Sequence, residues 1–362
     1  MRNSHVNFPC SACGAQLQFR PGIAKMNCEY CGHVQDVPQP QTESATPVQI
    51  QEHDYLTALQ NPKTVSPAEL VQSATEVECK NCSAITIVTG QATSCPFCDS
   101  PVVAKEDKEG IIFPESVLPF KVEKNKAKDI FQSWIKSRWF APSDLVQRAQ
   151  KEGIDGVYLP YWTYDSDTNT TYRGERGEHY YVEEEYTDSE GNTKTRRERK
   201  TRWYDTHGSV RQDFDDVMIC ASKSLPQKLF NALEPWPTNE LQPYAPGYLA
   251  GFSAEKYAIT LPEGFKLAES KMETEIKKEI CRDIGGDEQR ISSFDTRHHN
   301  VTFKHVLLPL WISSFRYNDK VYRVIINAQT GQMTGERPYS AMKIALLVIT
   351  IIIVLVALVS NG

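Results

Sequence analysis

The chain has 362 residues, 40% hydrophobic and 24% charged, with a formal net charge of -6 and a pI near 5.8. That is enough length for two or three domains with a sizeable core. The acidic balance excludes any general attraction to phosphate backbones or anionic lipid, so binding of nucleic acid would require a local basic patch.

Eight of the ten cysteines fall in four CxxC pairs near the N-terminus, without an export signal, a pattern that reads as metal ligation and not as a disulfide framework. Cys10 and Cys13 precede Cys28 and Cys31 with fourteen residues between the pairs, giving two turns on a short hairpin. Four thiolates at tetrahedral distance close a structural zinc site and leave no coordination position for a substrate. Gly14 and Gly32 follow the second cysteine of each pair and allow the tight backbone there. A unit this small buries too little surface to fold alone, so metal binding, about 10–16 kcal/mol in finger peptides, supplies its folding energy. His5 and His33 lie nearby, but four cysteines already satisfy an ion.

Residues 39–76 carry several prolines and many Gln, Thr and Ser, which predicts a linker with one short helix near 51–60 and a mobile arrangement of what it joins. Cys79, Cys82, Cys95 and Cys98 then repeat the first pattern, predicting a second ribbon and a second structural zinc ion. Neither ribbon is basic. Residues 1–38 set Arg2, Arg20 and Lys25 against Glu29 and Asp36, and residues 77–104 set Lys80 against Glu78 and Asp99. Small, neutral, rigid surfaces of this kind suit protein contacts better than phosphate contacts.

From 105 to 338 the pattern predicts a mixed α/β body with antiparallel sheet. Apolar spacing places helices over 124–139, 143–152 and 266–283, and a short one over 226–233. Strands are expected from 156, over 210–220, 301–317 and 320–327. A charged hairpin joins Tyr180–Tyr186, with Glu183, Glu184 and Glu185, to a return strand with Arg196, Arg197, Arg199, Lys200 and Arg202, so that its arms neutralise each other. VYLPYW at 157–162 is echoed by VLLPLW at 306–311, which predicts a duplicated helix-plus-sheet module with both prolines at a strand start or edge. Cys220 and Cys281 are expected to be buried small hydrophobes.

Residues 341–360 read AMKIALLVITIIIVLVALVS, with sixteen uncharged positions from Ile344 to Val359 and one hydroxyl, Thr350. As a helix this is about 24 Å of apolar length, extended by Ala341, Met342 and a snorkelling Lys343 toward a hydrocarbon core of about 30 Å. Ser360, Asn361 and Gly362 follow Val359, so a tail-anchored protein is expected, and Arg337 and Lys343 on the N-terminal flank put the body in the cytoplasm.

Catalytic motifs are not found. The dipeptide GK does not occur, so DEQR at 287–290 has no Walker A to serve, and HExxH, GxSxG and GxGxxG are missing as well. The expectation is therefore no enzyme. Asp295, His298, His299 and His305 read as a solvated loop, and Asp213, Asp215 and Asp216 as solvated surface in place of Mg²⁺ ligands.

SRWFAP at 137–142, GVYLPYWTYD at 156–165, LEPW at 233–236, YLAGF at 248–252, DIGGDEQRI at 283–291, TFKHVLLPLW at 302–311 and NAQTGQMTGERPYS at 327–340 complete the picture. With the paired CxxC motifs and the apolar helix, they make the chain resemble a bacterial family of membrane-anchored double zinc-ribbon proteins. The resemblance covers nearly the whole chain. Members are often labelled as primosomal replication-restart helicases through the cysteines alone. Some relatives resemble partners of phage-shock protein A and of prohibitin-like membrane scaffold proteins. The resemblance carries over the eight cysteines and the anchor, and implies an adaptor that recruits protein partners to the membrane in envelope stress. A membrane-tethered nucleic-acid-binding protein is the alternative.

Overall fold

The computed structural model describes residues 8–38, 50–60, 75–79, 84–88, 95, 97, 103–105, 112–145, 153–187, 193–318 and 320–360. They form an α+β protein with mostly antiparallel sheet and five α-helices. A small sheet, β1 (Leu17–Arg20), β2 (Lys25–Cys28) and β3 (Val34–Gln35), stands at the N-terminus. β4 (His53–Asp54) and α1 (Tyr55–Gln60) follow. β4 pairs with a strand of the body, so this part of the expected linker belongs to the body. β5 (Thr75–Glu78), β6 (Ile85–Val88) and β7 (Val103–Lys105) form a small antiparallel ladder. That ladder continues into the large sheet through β6, so residues of the expected second ribbon are sheet neighbours of the body.

The body is organised around three strands. After β8 (Ser116–Val117) and α2 (Lys124–Lys136) come β9 (Asp155–Thr187) and β10 (Thr193–Cys220). α3 (Gln227–Asn231), β11 (Gln242–Pro243), β12 (Ser253–Glu255) and α4 (Leu261–Ile284) lead to β13 (Glu288–Tyr317). β9 is 33 residues long, β10 is 28 and β13 is 30, where strands of 3–10 residues are usual. Segments that read as separate strands and loops are continuous: β9 pairs with β10 on one side and with β13, from Glu288↔Gly177 to Ile312↔Asp155, on the other. Beyond Gly177 only β9 and β10 continue among the described residues, a two-stranded ribbon that adds about 33 Å at the usual rise per residue.

Alternation decides which face is covered. Trp162, Tyr164, Thr168, Thr170 and Tyr172 of β9 point to one side and are buried, while Asp167, Thr171 and Arg173 point to the other and are exposed. α4 lies on the buried side and contributes Phe265, Ala268, Met272, Ile276, Ile280 and Ile284 to a shared core. Gly264 lets it approach: a Cβ there would stand 2.4 Å from the Tyr164 hydroxyl and 2.8 Å from Trp162. The helix begins one turn before its expected start, because the backbone N–H and the hydroxyl of Thr260 both bond Glu263, at 2.8 and 2.9 Å, and Pro262 sits in the first turn.

The VYLPYW and VLLPLW echo has a counterpart in pairing. Leu159 and Leu308 face each other across β9 and β13. β12 runs parallel to β9 at Val157, as β8 runs parallel to β13 at Val306. The Trp162 indole donates to Ile259 O at 2.9 Å and the Trp311 indole to Val122 O at 2.8 Å, so each half covers the other half's tryptophan. Neither proline sits at a strand start. Pro160 and Pro309 lie inside long strands, each one residue before a second ladder begins, at Tyr161↔Cys220 and at Leu310↔Asn327 with β14 (Lys320–Asn327). The missing N–H there is not needed, and each proline carbonyl still accepts, from Ala221 at 2.9 Å and from Ala328 at 3.1 Å.

β15 (Met333–Gly335) closes the sheet, and α5 (Ala341–Ser360) ends the described chain. α5 is long and apolar enough to cross a membrane, and none of its apolar window is buried against the protein. The expected helix over 143–152 lies mostly outside the described residues.

Candidate metal centre

The first quartet comes together. Cys10 precedes β1, Cys28 ends β2, and the two CxxC turns have the same backbone bonds. Gly14 N–H donates to Cys10 O at 2.8 Å and Gly32 N–H to Cys28 O at 2.9 Å, while Cys10 N–H and Cys28 N–H donate to Ala15 O and His33 O. Gly14 and Gly32 both hold φ of +73°, in the left-handed region that glycine enters without cost. The turns aim Sγ of Cys10 at Sγ of Cys31, 3.6 Å away, and Sγ of Cys13 at Sγ of Cys28, 3.5 Å away. Tetrahedral zinc–thiolate bonds of about 2.3 Å set sulfurs about 3.8 Å apart, whereas a disulfide sets them about 2.05 Å apart. All four sulfurs lie within 4.8 Å of one another, a cluster that can hold a metal ion and suits zinc.

The sulfurs perturb one another. The Cys31 backbone N–H, aimed at Cys28, lowers that thiol to about 7. Cys31 receives the His33 N–H, yet the adjoining Cys13 sulfur and burial push it up to about 12. Four thiolates share this space only around a cation, so loading the site releases protons. His33 stays outside the quartet, bonded to Ser11 Oγ at 2.9 Å. His5 lies outside the described residues.

The cluster sits on the body. Phe19 of β1 packs edge-on to Tyr248 and Phe252, with ring centroids 5.4 and 6.4 Å apart, and its N–H donates to Ala250 O at 2.9 Å. Leu17, Met26, Cys28 and Val37 join the same core as Tyr158 and Trp311. A freely mobile N-terminal unit, as the linker composition suggests, does not agree with this seat. Of the second quartet, Cys79 and Cys95 are buried beside Phe97 against Leu159, Leu310 and Ile325. Cys82 and Cys98 lie outside the described residues.

The remaining candidates separate. His298, His299 and His305 are on β13 and not in a loop, and a bulge between His299 and Thr302, with Asn300 at φ +50°, breaks the alternation that would have set His299 and His305 on one face. His299 is exposed. His298 turns to Ser166, 3.0 Å from its Nδ1. His305 is buried, its Nδ1 donating to Ile112 O at 2.8 Å and its ring tilted on Trp162 with centroids 4.7 Å apart. The two other aspartates, Asp215 and Asp216, form a bulge of β10 that brings their carboxylates to Asp165. Sequence reading missed Asp165, and two aspartates inside a strand were the available signal. A cation already stands there: Lys304 Nζ lies 2.8 Å from Asp216 and 2.9 Å from Glu52. Asp213 is apart from them, opposite Asp167. Cys220 is buried as expected, whereas Cys281 on α4 is half-buried.

Over 239 residues the chain is 29% identical to the uncharacterized protein YdjG of Bacillus subtilis (strain 168), a match covering 65% of this chain and 67% of the relative. No family model matches the chain, and no solved structure matches it.

Proposed function

We propose that this protein is a membrane-anchored, cytoplasm-facing adaptor of the double zinc-ribbon kind, which gathers protein partners at the bacterial inner membrane. Two structural zinc ions hold its cysteines, one at Cys10, Cys13, Cys28 and Cys31 and the other at Cys79, Cys82, Cys95 and Cys98. The partners are phage-shock protein A-like or prohibitin-like scaffold proteins, and the setting is envelope stress. The chain performs no helicase reaction in this reading.

The observation that carries the reading is the ribbon of β9 and β10 beyond Gly177, which stands clear of β13 with Tyr180, Tyr181 and Tyr186 exposed. Its charges are balanced and paired: Lys200 and Arg196 reach Glu184 at 2.9 and 3.4 Å, and Arg197 and Arg202 lie over Tyr181 and Tyr180. Rigid tyrosines amid neutralised charge suit a protein surface, because they offer large contact area at low entropic cost. A phosphate backbone would find few uncommitted cations on this ribbon. An anchor then raises the effective concentration of whatever binds, with no new contact.

The test is capture of the full-length protein from detergent-solubilised native membranes, beside a variant with Tyr180, Tyr181 and Tyr186 changed to Ser. Recovery of phage-shock or prohibitin-like proteins by the parent and not the variant supports the adaptor. Nuclease-sensitive recovery of nucleic acid, with salt-dependent binding by the pure protein, replaces it with the nucleic-acid reading. Metal analysis of protein purified without chelator is expected to give two zinc ions per chain, and one or none contradicts the second site.

A further inference from the structure

The joint between body and apolar helix is a built structure. Ser340 caps α5: its carbonyl accepts from Ile344 N–H at 3.1 Å and its hydroxyl from Lys343 N–H at 3.4 Å. The loop after α2 is tied to the same turn, with Ser340 N–H donating to Phe140 O at 2.8 Å. Side chains on a helix tilt toward its N-terminus. Lys343 therefore carries its ammonium to the body side, where Nζ donates to Trp139 O at 3.1 Å and to Ala141 O at 2.8 Å. It is engaged with the loop and does not snorkel freely.

The loop is also fixed from within, since Ala141 and Leu145 are core residues and Arg138 lies over the Trp134 ring at 4.8 Å. Yet Trp139 between them is 78% exposed, the most exposed tryptophan among the described residues. Tyr339, two residues before α5, is 61% exposed, with the Arg337 guanidinium 5.2 Å from its ring centroid. A rigid loop thus holds in solvent a residue type that is highly buried on average. At the level where an apolar helix leaves the body, the same ring meets the headgroup region, in which Trp and Tyr accumulate beside Arg and Lys.

We propose that the 138–142 loop, together with Tyr339, is a second membrane contact, in which Trp139 inserts its ring at the headgroup–acyl boundary beside α5. This rests on the reading of α5 as a membrane span. The occupant is the bilayer interface, because the hydrogen bonds of Lys343 make the loop continuous with the first turn of the apolar helix. One helix alone leaves the body free to swivel; helix and loop together fix its tilt, and with it the direction in which the β9–β10 ribbon points.

The experiment reconstitutes the full chain into phosphatidylcholine vesicles with plain or 6,7-dibrominated acyl chains and follows flotation and tryptophan emission for the parent, Trp139→Phe and Trp203→Phe. Trp162, Trp236 and Trp311 are buried in the protein, Trp134 is half-buried beneath Arg138 and is kept in all three proteins, and Trp203 lies on β10 opposite Gly177, at the base of the exposed ribbon. The expected result is flotation of all three proteins, with bromine quenching in the parent and in Trp203→Phe that falls at least ~2-fold in Trp139→Phe. Flotation with equal quenching in the parent and Trp139→Phe overturns the loop contact while leaving the span intact. Failure of the parent to float overturns the span and the contact with it.

Discussion

Lys304 shows how single residues hold the long strands at their bulges. The residue is 7% exposed and its ammonium lies between Asp216 and Glu52, while Asp165 accepts the Asp216 N–H at 2.7 Å and the Thr302 hydroxyl at 2.8 Å. Removing the cation leaves Asp165, Asp215, Asp216 and Glu52 crowded together. Lys304→Met is expected to lower unfolding stability by about 3 kcal/mol, and a second change, Asp216→Asn, to restore part of it, both read from denaturant melts in detergent. Full stability in the single variant would show that the ion pairs are incidental. His305 gives a pH signature. Burial holds its pKa down at about 4, and among the described residues its Nε2 has no hydrogen-bond partner. In the unfolded chain a histidine titrates near ~6.5. Between these values the unfolded state binds more protons, so stability falls as pH drops from about 6.5 to about 4 and this contribution levels off below. The loss amounts to roughly 3 kcal/mol. His305→Asn should flatten that stretch of the curve relative to the parent, and an unchanged slope would assign it to other groups.

Among the elements, the cysteine hairpin was the most legible, since CxxC spacing and the following glycines specify two turns whatever surrounds them. Its seat was not legible, because Phe19 and Met26 read as the core of a small unit and in fact complete a larger one. Loss of metal should accordingly be felt beyond the hairpin. Cys13→Ser with Cys31→Ser is expected to abolish metal binding by residues 8–38 and to raise amide exchange there and across Tyr248–Phe252, measured by mass spectrometry. Exchange confined to 8–38 would make the seat against Ala250 unimportant. The long strands were half legible. Alternation marked pieces of β9 and β13, but charged and hydroxyl residues at Asp295–Asn300 looked like a loop, because one face of this sheet is open to water and α4 covers the other. The prolines misled for a related reason: the rule excludes them from a ladder, and Pro160 and Pro309 stand where the second ladder has not yet begun.

For the whole molecule, the pieces that composition sets apart are joined in the structure. The N-terminal hairpin and β4 are seated on the body, β5–β7 share its sheet, and Lys343 ties the apolar helix to the loop after α2. On the proposed reading such a body passes orientation from the bilayer to the exposed ribbon, since tethering acts through effective concentration and geometry. The apolar helix was fully legible from its length and lack of charge. The pairing of each tryptophan with the other half's carbonyl was not, since no local pattern encodes which half a side chain will cover. The most direct test of recruitment is the membrane-bound fraction of the captured partner, measured in cells that make the full chain and in cells whose chain ends at Ser340. The partner is expected to move to the soluble fraction when the helix is missing, still bound to the shortened chain. A partner that stays at the membrane to the same extent in both would contradict recruitment by this protein.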